Sequence, residues 1–164
     1  MPAHVYLSLG SNLGDRAGNL RSALLQLPAA GVSVDKVSSF WETEPVDVRD
    51  QPWFLNCAVE GRTGLEPVDL LRALRDIELR MGSRKEFAKG PRLLDIDILL
   101  YGDLVLATPE LQIPHPRMLQ RRFVLAPLAE IAPLLRHPGW PGTASELLLA
   151  ILDPSEVRKS QPGP

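Results

Sequence analysis

The chain has 164 residues, 45% hydrophobic and 23% charged, which supplies one full apolar core and excludes a disordered polymer. Lys and Arg number 18 against 20 acids, so bulk charge does not favour a nucleic-acid or anionic-membrane binder, and any cationic site must be local. The single cysteine, Cys57, forms no internal disulfide, the first residues lack the basic start and long apolar stretch expected of a secretory signal, and the longest apolar stretch, 123–135, is broken by Glu130 and two prolines. These features predict one soluble domain over 1–164, in a reducing cytoplasm.

Val5 to Leu9 is a β-compatible apolar run that stops at Gly10-Ser11-Asn12, and the spacing of Leu20, Ala23, Leu24 and Leu27 predicts a helix ending before Pro28. Val32, Val34, Val37 and Phe40 predict a strand over 32–41, followed by a loop over 42–52 and a strand from Trp53 to Val59. Pro67 is suited to open a helix, which Leu70, Leu71, Leu74, Ile77 and Met81 continue until Gly82. Residues 83–90 have no apolar period and lie between Gly82 and Gly90-Pro91, which predicts a mobile loop leading into a strand from Leu93 to Tyr101. Beyond Pro109, Pro114 and Pro116 the pattern predicts a helix over 118–128, a Pro/Gly-rich stretch over 133–142 and a frayed tail over 153–164. The order βαββαβ with a helical end predicts an α+β fold, a ferredoxin-like sandwich with an antiparallel sheet and mobile loops over the active site.

The chemistry concentrates in Gly90-Pro91-Arg92-Leu93-Leu94-Asp95-Ile96-Asp97-Ile98. On a strand, Asp95 and Asp97 project to the same face about 6 to 7 Å apart. They either mark a solvated face or hold a hard divalent cation, Mg²⁺ or Mn²⁺, whose remaining ligands are substrate phosphates. From Arg80 to Arg92 there are five cations (Arg80, Arg84, Lys85, Lys89, Arg92) against one acid, Glu86, and His115 to Phe123 adds Arg117, Arg121 and Arg122 with no acid. Singly these read as solvated residues; flanking a carboxylate pair, they suit a metal-bound polyphosphate. Gly10-Ser11-Asn12-Leu13-Gly14 lacks the P-loop and dinucleotide patterns and reads as a structural turn. Among the histidines only His115, between two prolines and beside arginines, suits phosphate contact or proton transfer. Cys57 reads as a small core residue, and Trp41, Trp53 and Phe54 as core packing or the wall of an aromatic pocket.

With these residues in place, the chain closely resembles the 6-hydroxymethyl-7,8-dihydropterin pyrophosphokinases of folate biosynthesis. The likeness covers about Val5 to Pro138 and rests on Gly10-Ser11-Asn12-Leu13, Val37-Ser38-Ser39-Phe40, Phe54-Leu55-Asn56, Gly90-Pro91-Arg92-x-x-Asp95-x-Asp97-Ile98 and Pro114-His115-Pro116-Arg117 through Arg121-x-Phe123. The resemblance implies transfer of the ATP β,γ-pyrophosphoryl group to the pterin hydroxymethyl, with release of AMP. It implies that Asp95 and Asp97 hold two Mg²⁺ and that Arg84, Arg92, Asp95 and Asp97 carry catalysis. Glu78, Arg84, Arg92, Ile98, His115 and Arg121 would contact ATP. Gly10, Thr43, Pro45, Val46, Phe54, Asn56 and Phe123 would line the pterin pocket, with Phe54 and Phe123 sandwiching the ring and Asn56 reading its amide edge. The partners expected are those two small molecules, with no nucleic acid and no membrane, and the expected state is a monomer. The chain departs from the family in Ser83-Arg84-Lys85-Glu86-Phe87-Ala88-Lys89, where two spaced arginines and an Arg-Trp pair are frequent, in Glu44 for a frequent proline, and in Arg75 for a frequent Gln. Two rivals differ in kind. A nucleotide-sugar transferase could also use Asp-x-Asp, and an RNA-binding module could use the basic blocks, although no aromatic-basic strand motif is present.

Overall fold

The N-terminal strand β1 (Ala3–Ser11) is buried from Val5 onward, because it is paired on both edges and covered on both faces. The computed structural model describes residues 2–45, 50–83 and 91–160. Along that chain follow α1 (Arg16–Gln26), β2 (Val32–Val37), β3 (Trp41–Thr43), β4 (Phe54–Thr63), α2 (Pro67–Arg80) and β5 (Asp95–Tyr101). The C-terminal part adds a two-residue hairpin, β6 (Leu106–Ala107) and β7 (Gln112–Ile113), a 3-10 turn Met118–Gln120, α3 (Arg122–Ile131), α4 (Ala144–Ala150) and β8 (Val157–Lys159). The main sheet runs β5-β1-β4-β3-β8, with β2 also on β4, and each of these pairs is antiparallel. The β1-α1-β2, β4-α2-β5 order is the expected ferredoxin-like sandwich.

Strand alternation sorts two cores. Val5, Leu7, Leu9, Cys57, Val59 and Ile96 face α1 and α2, meeting Leu20, Leu70, Leu74 and Ile77. Tyr6, Ala58, Leu99 and Leu100 face the other way, against Val124, Leu125 and Leu128 of α3. Asp15 caps α1 by accepting the Gly18 N–H at 3.0 Å, and Gly82 follows α2 at φ 83°, a left-handed conformation that glycine adopts without strain. Among the described residues no helix is long and apolar enough to cross a membrane.

Four expectations need correction. The strand expected over 32–41 is two strands, and the second runs into the expected loop 42–52. The break arises because the Ser38 hydroxyl accepts the Ala58 N–H at 2.9 Å, a local side-chain substitute for the ladder, while Phe40 turns fully into the core. The helix expected over 118–128 is a 3-10 turn and a separate α-helix, divided at Arg121, whose backbone is extended. The N-terminus of α3 is stabilised from the distant tail, where the Asp153 carboxylate accepts the Arg122 N–H at 3.0 Å. The helix α4 lies where the sequence reading assigns no element, and Thr143 and Glu146 form its capping box ahead of Leu147-Leu148-Leu149. The tail is not frayed over 153–160, since β8 pairs with β3 from Thr43↔Val157 to Trp41↔Lys159.

One carboxylate fastens this C-terminal half to the sheet. Glu130 on α3 accepts the Ser39 N–H at 3.0 Å, the Ser39 hydroxyl at 2.6 Å and the Trp41 indole N–H at 2.9 Å, with Lys159 Nζ at 3.8 Å. Burial pushes its carboxyl pKa up, but the hydrogen bonds from Ser39 and Trp41 and the Lys159 charge outweigh it and hold the group below the usual value. Glu130→Ala is expected to cost about 1 to 2 kcal/mol, or roughly 2 to 8 °C in thermal midpoint. A group whose folded pKa is depressed stabilises above its unfolded value. The deficit should therefore be full at neutral pH and vanish as pH falls through Glu130's folded value; thermal melts from pH 7 to pH 3 measure both.

Candidate active site

Register across the sheet decides which residues meet. Gly10 on β1 pairs with Asn56 on β4 and with Asp95 on β5, and Asn56 pairs in turn with Trp41 on β3. Asp95, Gly10 and Asn56 thus form one row, with Asp95 and Asn56 two strand spacings, roughly 10 Å, apart. Two residues along, Asp97 stands opposite Ser8, and Phe54 stands opposite Thr43. All project from the face that α3 covers at its other end, where Tyr6, Ala58 and Leu99 are packed. The polar end of that face is the site.

Gly10 has to be glycine. A Cβ there would collide with Asn56 Oδ1, and it would lie 3.6 Å from Phe54 Cδ2. The Asn56 amide is also oriented, since its Nδ2 donates to the Thr43 hydroxyl at 2.5 Å with both residues buried. Asp95 and Asp97 are half-buried between the buried Ile96 and Ile98, so both carboxylates share the site face. Asp97 makes an interaction of its own besides. Among the described residues no group of three or more His, Cys, Asp or Glu gathers as a metal cage. A paired-carboxylate set of hard oxygens fits a divalent cation that completes its shell from a phosphate ligand.

The stretch 115–123 borders the same space. The His115 N–H donates to Leu99 O at 3.0 Å, which anchors the stretch to the end of β5. Burial, then the Arg121 charge, holds the His115 imidazole below its usual pKa, while Asp95 opposes the shift and Arg117 adds to it. His115, Arg121 and Asp95 therefore share one electrostatic field. Phe123, the second residue of α3, is half-buried, with the Arg121 guanidinium 5.4 Å from its ring centroid. Arg92 is buried three residues ahead of Asp95, and Pro45 is buried just beyond Thr43.

Other expected residues stand differently. Ile98 is 4% exposed and its side chain belongs to the helical core, on the face opposite the two aspartates. Glu78 is 5% exposed, and its Oε2 accepts the Ile96 N–H at 2.7 Å and Arg75 Nη1 at 2.7 Å. Arg75 Nη1 also donates to Ile96 O at 2.8 Å. Glu78 and Arg75 thus satisfy both free backbone groups of Ile96 on the outer edge of β5, between the two aspartates. Burial pushes the Glu78 carboxyl above its usual pKa; Arg75 and the Ile96 N–H oppose this, and Asp95 adds to it. Val46 and Arg84 lie outside the described residues, as does the expected mobile loop beyond Ser83. Cys57 points to the opposite core, where burial pushes its thiol up to about 12, which leaves no nucleophile at pH 7. Trp41 is held by Glu130, Trp53 is covered by Arg158 at 5.1 Å, and of the three aromatics only Phe54 reaches over Gly10.

The edge clamp makes a specific expectation. Glu78→Ala should speed hydrogen exchange at the Ile96 amide by at least tenfold and cost about 2 kcal/mol, because a buried donor loses its acceptor. Unchanged Ile96 exchange would show that Glu78 does not hold this edge.

Comparison with known proteins adds relatives to this geometry. A family model described as 7,8-dihydro-6-hydroxymethylpterin-pyrophosphokinase (HPPK) matches residues 6–133. The 2-amino-4-hydroxy-6-hydroxymethyldihydropteridine pyrophosphokinase of Bacillus subtilis (strain 168) is 51% identical over 127 residues, 77% of this chain and 76% of its own. The protein of the same name from Aquifex aeolicus is 40% identical over 136 residues, 83% of this chain and 84% of its own. A crystal structure of Plasmodium falciparum HPPK-DHPS A437G with SDX-DHP superimposes with a TM-score of 0.75 at 16% identity, over 92% of this chain and 45% of that one. That likeness is one of fold, and this chain spans under half of the larger protein.

Proposed function

The chain belongs to the 7,8-dihydro-6-hydroxymethylpterin-pyrophosphokinase family, and from that premise we propose that it transfers pyrophosphate from ATP to 6-hydroxymethyl-7,8-dihydropterin. The reaction forms a bond between the hydroxymethyl oxygen and the β-phosphorus, breaks the α,β bridging bond, and releases AMP and a proton. The observation that carries this reading is the row Asp95, Gly10, Asn56, which sets a carboxylate pair beside an oriented amide.

Each residue then has a task. Asn56, with its Nδ2 spent on Thr43, presents its amide to the polar edge of a flat heterocycle, and Phe54 and Phe123 supply apolar faces for it. Thr43, Pro45 and Gly10 complete that wall, Gly10 by being absent as a side chain, and Val46 is assigned to the pterin by the family resemblance alone. Arg84, Arg92, His115 and Arg121 bring cationic and hydrogen-bonding groups to the triphosphate, and Glu78 supports it from beneath β5. Asp95 and Asp97 hold Mg²⁺, with two ions in this reading, and when bound they neutralise phosphate charge and acidify the attacking hydroxyl. The transfer needs little covalent help, so holding the two substrates in line and balancing developing charge carry the rate. No general base is assigned. The protein acts as a monomer in the cytoplasm in this reading.

The test is to combine protein, ATP, Mg²⁺ and the hydroxymethyl-dihydropterin and to measure AMP. AMP should form only when all four are present, and its absence would overturn the reading. Asp95→Asn and Asp97→Asn should each lower turnover by about 10³-fold or more at saturating Mg²⁺, with the fold intact by circular dichroism. Arg92→Ala should lower the maximal rate by about 10²- to 10³-fold with a smaller effect on pterin affinity. Near-normal turnover in either aspartate variant would remove the metal assignment.

A further inference from the structure

We propose that Asn12 is a positioning residue that couples the nucleotide half of the site to the pterin half; this rests on the reaction assigned above. Asn12 follows β1 in the turn that sequence pattern assigns a purely structural part. It is 1% exposed, and its side-chain oxygen, its side-chain nitrogen and its backbone N–H are all hydrogen-bonded. Its Oδ1 accepts the Arg92 N–H at 2.7 Å, and its own N–H donates to Arg92 O at 2.9 Å. On the other side its Nδ2 donates to Gln51 Oε1 at 2.9 Å and to Pro52 O at 3.0 Å.

One side-chain amide thus pins the backbone of Arg92, three residues before Asp95, and the segment that enters β4 two residues before Phe54. The turn is itself fixed from α1, where Asn19 Nδ2 donates to Ser11 Oγ at 3.1 Å, Leu13 O at 2.9 Å and Leu93 O at 3.3 Å. A displacement of Arg92 as it engages phosphate is therefore passed to Pro52 and the Phe54 wall through one buried side chain. The chemistry demands asparagine: an acceptor must face Arg92 while two donors face two oxygens. Aspartate keeps the first half and loses the second, because a carboxylate oxygen would confront Gln51 Oε1 and Pro52 O.

Coupling is a free energy shared between ligands and must be reciprocal. The experiment uses isothermal titration calorimetry on the full chain with Mg²⁺, the dihydropterin substrate and an ATP analogue whose α,β bridge is a methylene, so no transfer occurs. In the unmodified protein each ligand should tighten the other by the same factor, at least tenfold. In Asn12→Asp the factor should fall below threefold, while each ligand alone binds within about threefold of its original affinity. Gln51→Ala, which removes one of two acceptors at a partly exposed residue, should give an intermediate factor and serves where the first variant is unstable.

A factor retained in both variants overturns the proposal, as does its absence from the unmodified protein. So does a loss in Asn12→Asp confined to single-ligand affinities, which would make Asn12 an ordinary structural residue. Failure of the unmodified protein to bind either ligand would overturn the assigned reaction as well, whereas binding without coupling overturns this inference alone.

Discussion

The closeness of β1 to the Asn56 side chain is the constraint on which the site depends. At Gly10 the missing Cβ lets Asn56 Oδ1 lie over the central strand, and the same residue pairs on its other edge with Asp95. A Cβ at that position would collide with Asn56 Oδ1 and force the amide to shift. The antiparallel register makes the arrangement rigid, because a one-residue slip of β5 would turn Asp95 and Asp97 into the helical core and bring Ile96 and Ile98 into the site.

Three supports keep this row in place. The outer edge of β5 is closed by Glu78 and Arg75 on Ile96, so the strand that carries the aspartates has no free backbone there. The far edge is extended by β8, whose approach is fixed by Asp153 on Arg122 and by Glu44, whose carboxylate accepts the Glu156 N–H at 3.1 Å. A bidentate Arg16–Glu42 pair, at 2.7 and 3.3 Å, with Arg16 also on Trp53 O at 3.0 Å, ties α1 to the strands that bear Thr43 and Phe54. A site that must align two substrates benefits from ligands mounted on strands whose neighbours leave them no alternative position.

Much of this was legible in the sequence, for physical reasons that differ by element. The helix α2 has a regular apolar period with Pro at its start and Gly after its end, and β5 shows its aspartates by simple alternation. The separation of β2 from β3 was not legible, since it depends on a Ser38 hydroxyl meeting Ala58 across the sheet. The start of α3 was hidden because its N-terminal acceptor, Asp153, lies 31 residues on. The strand β8 is three residues long, with one apolar residue, Val157, too short a run for a period to show, and it is held extended by the edge of β3. At the site, the aspartate pair and basic blocks were visible as patterns, and the family resemblance placed Gly10 and Asn56. The sharing of Ile96 by Glu78 and Arg75, and the two-sided use of Asn12, needed three dimensions. Arg75 stood out in sequence only as a departure from the family's frequent Gln, and the geometry gives that departure a task.

The central claim is that the carboxylates proposed to hold the cation and the amide proposed to read the pterin share one sheet face, along the row Asp95, Gly10, Asn56. Paramagnetic broadening by Mn²⁺, added with a nonreactive nucleotide to isotopically labelled protein, tests it directly. The Asn56 side-chain amide and the backbone amides of Ser8 and Gly10 should broaden at the lowest Mn²⁺ additions, while Leu20, Ala23 and Leu27, in and just after α1 and beneath the opposite face, stay sharp. Broadening that spares Gly10 and Asn56 would place the cation elsewhere and contradict the account.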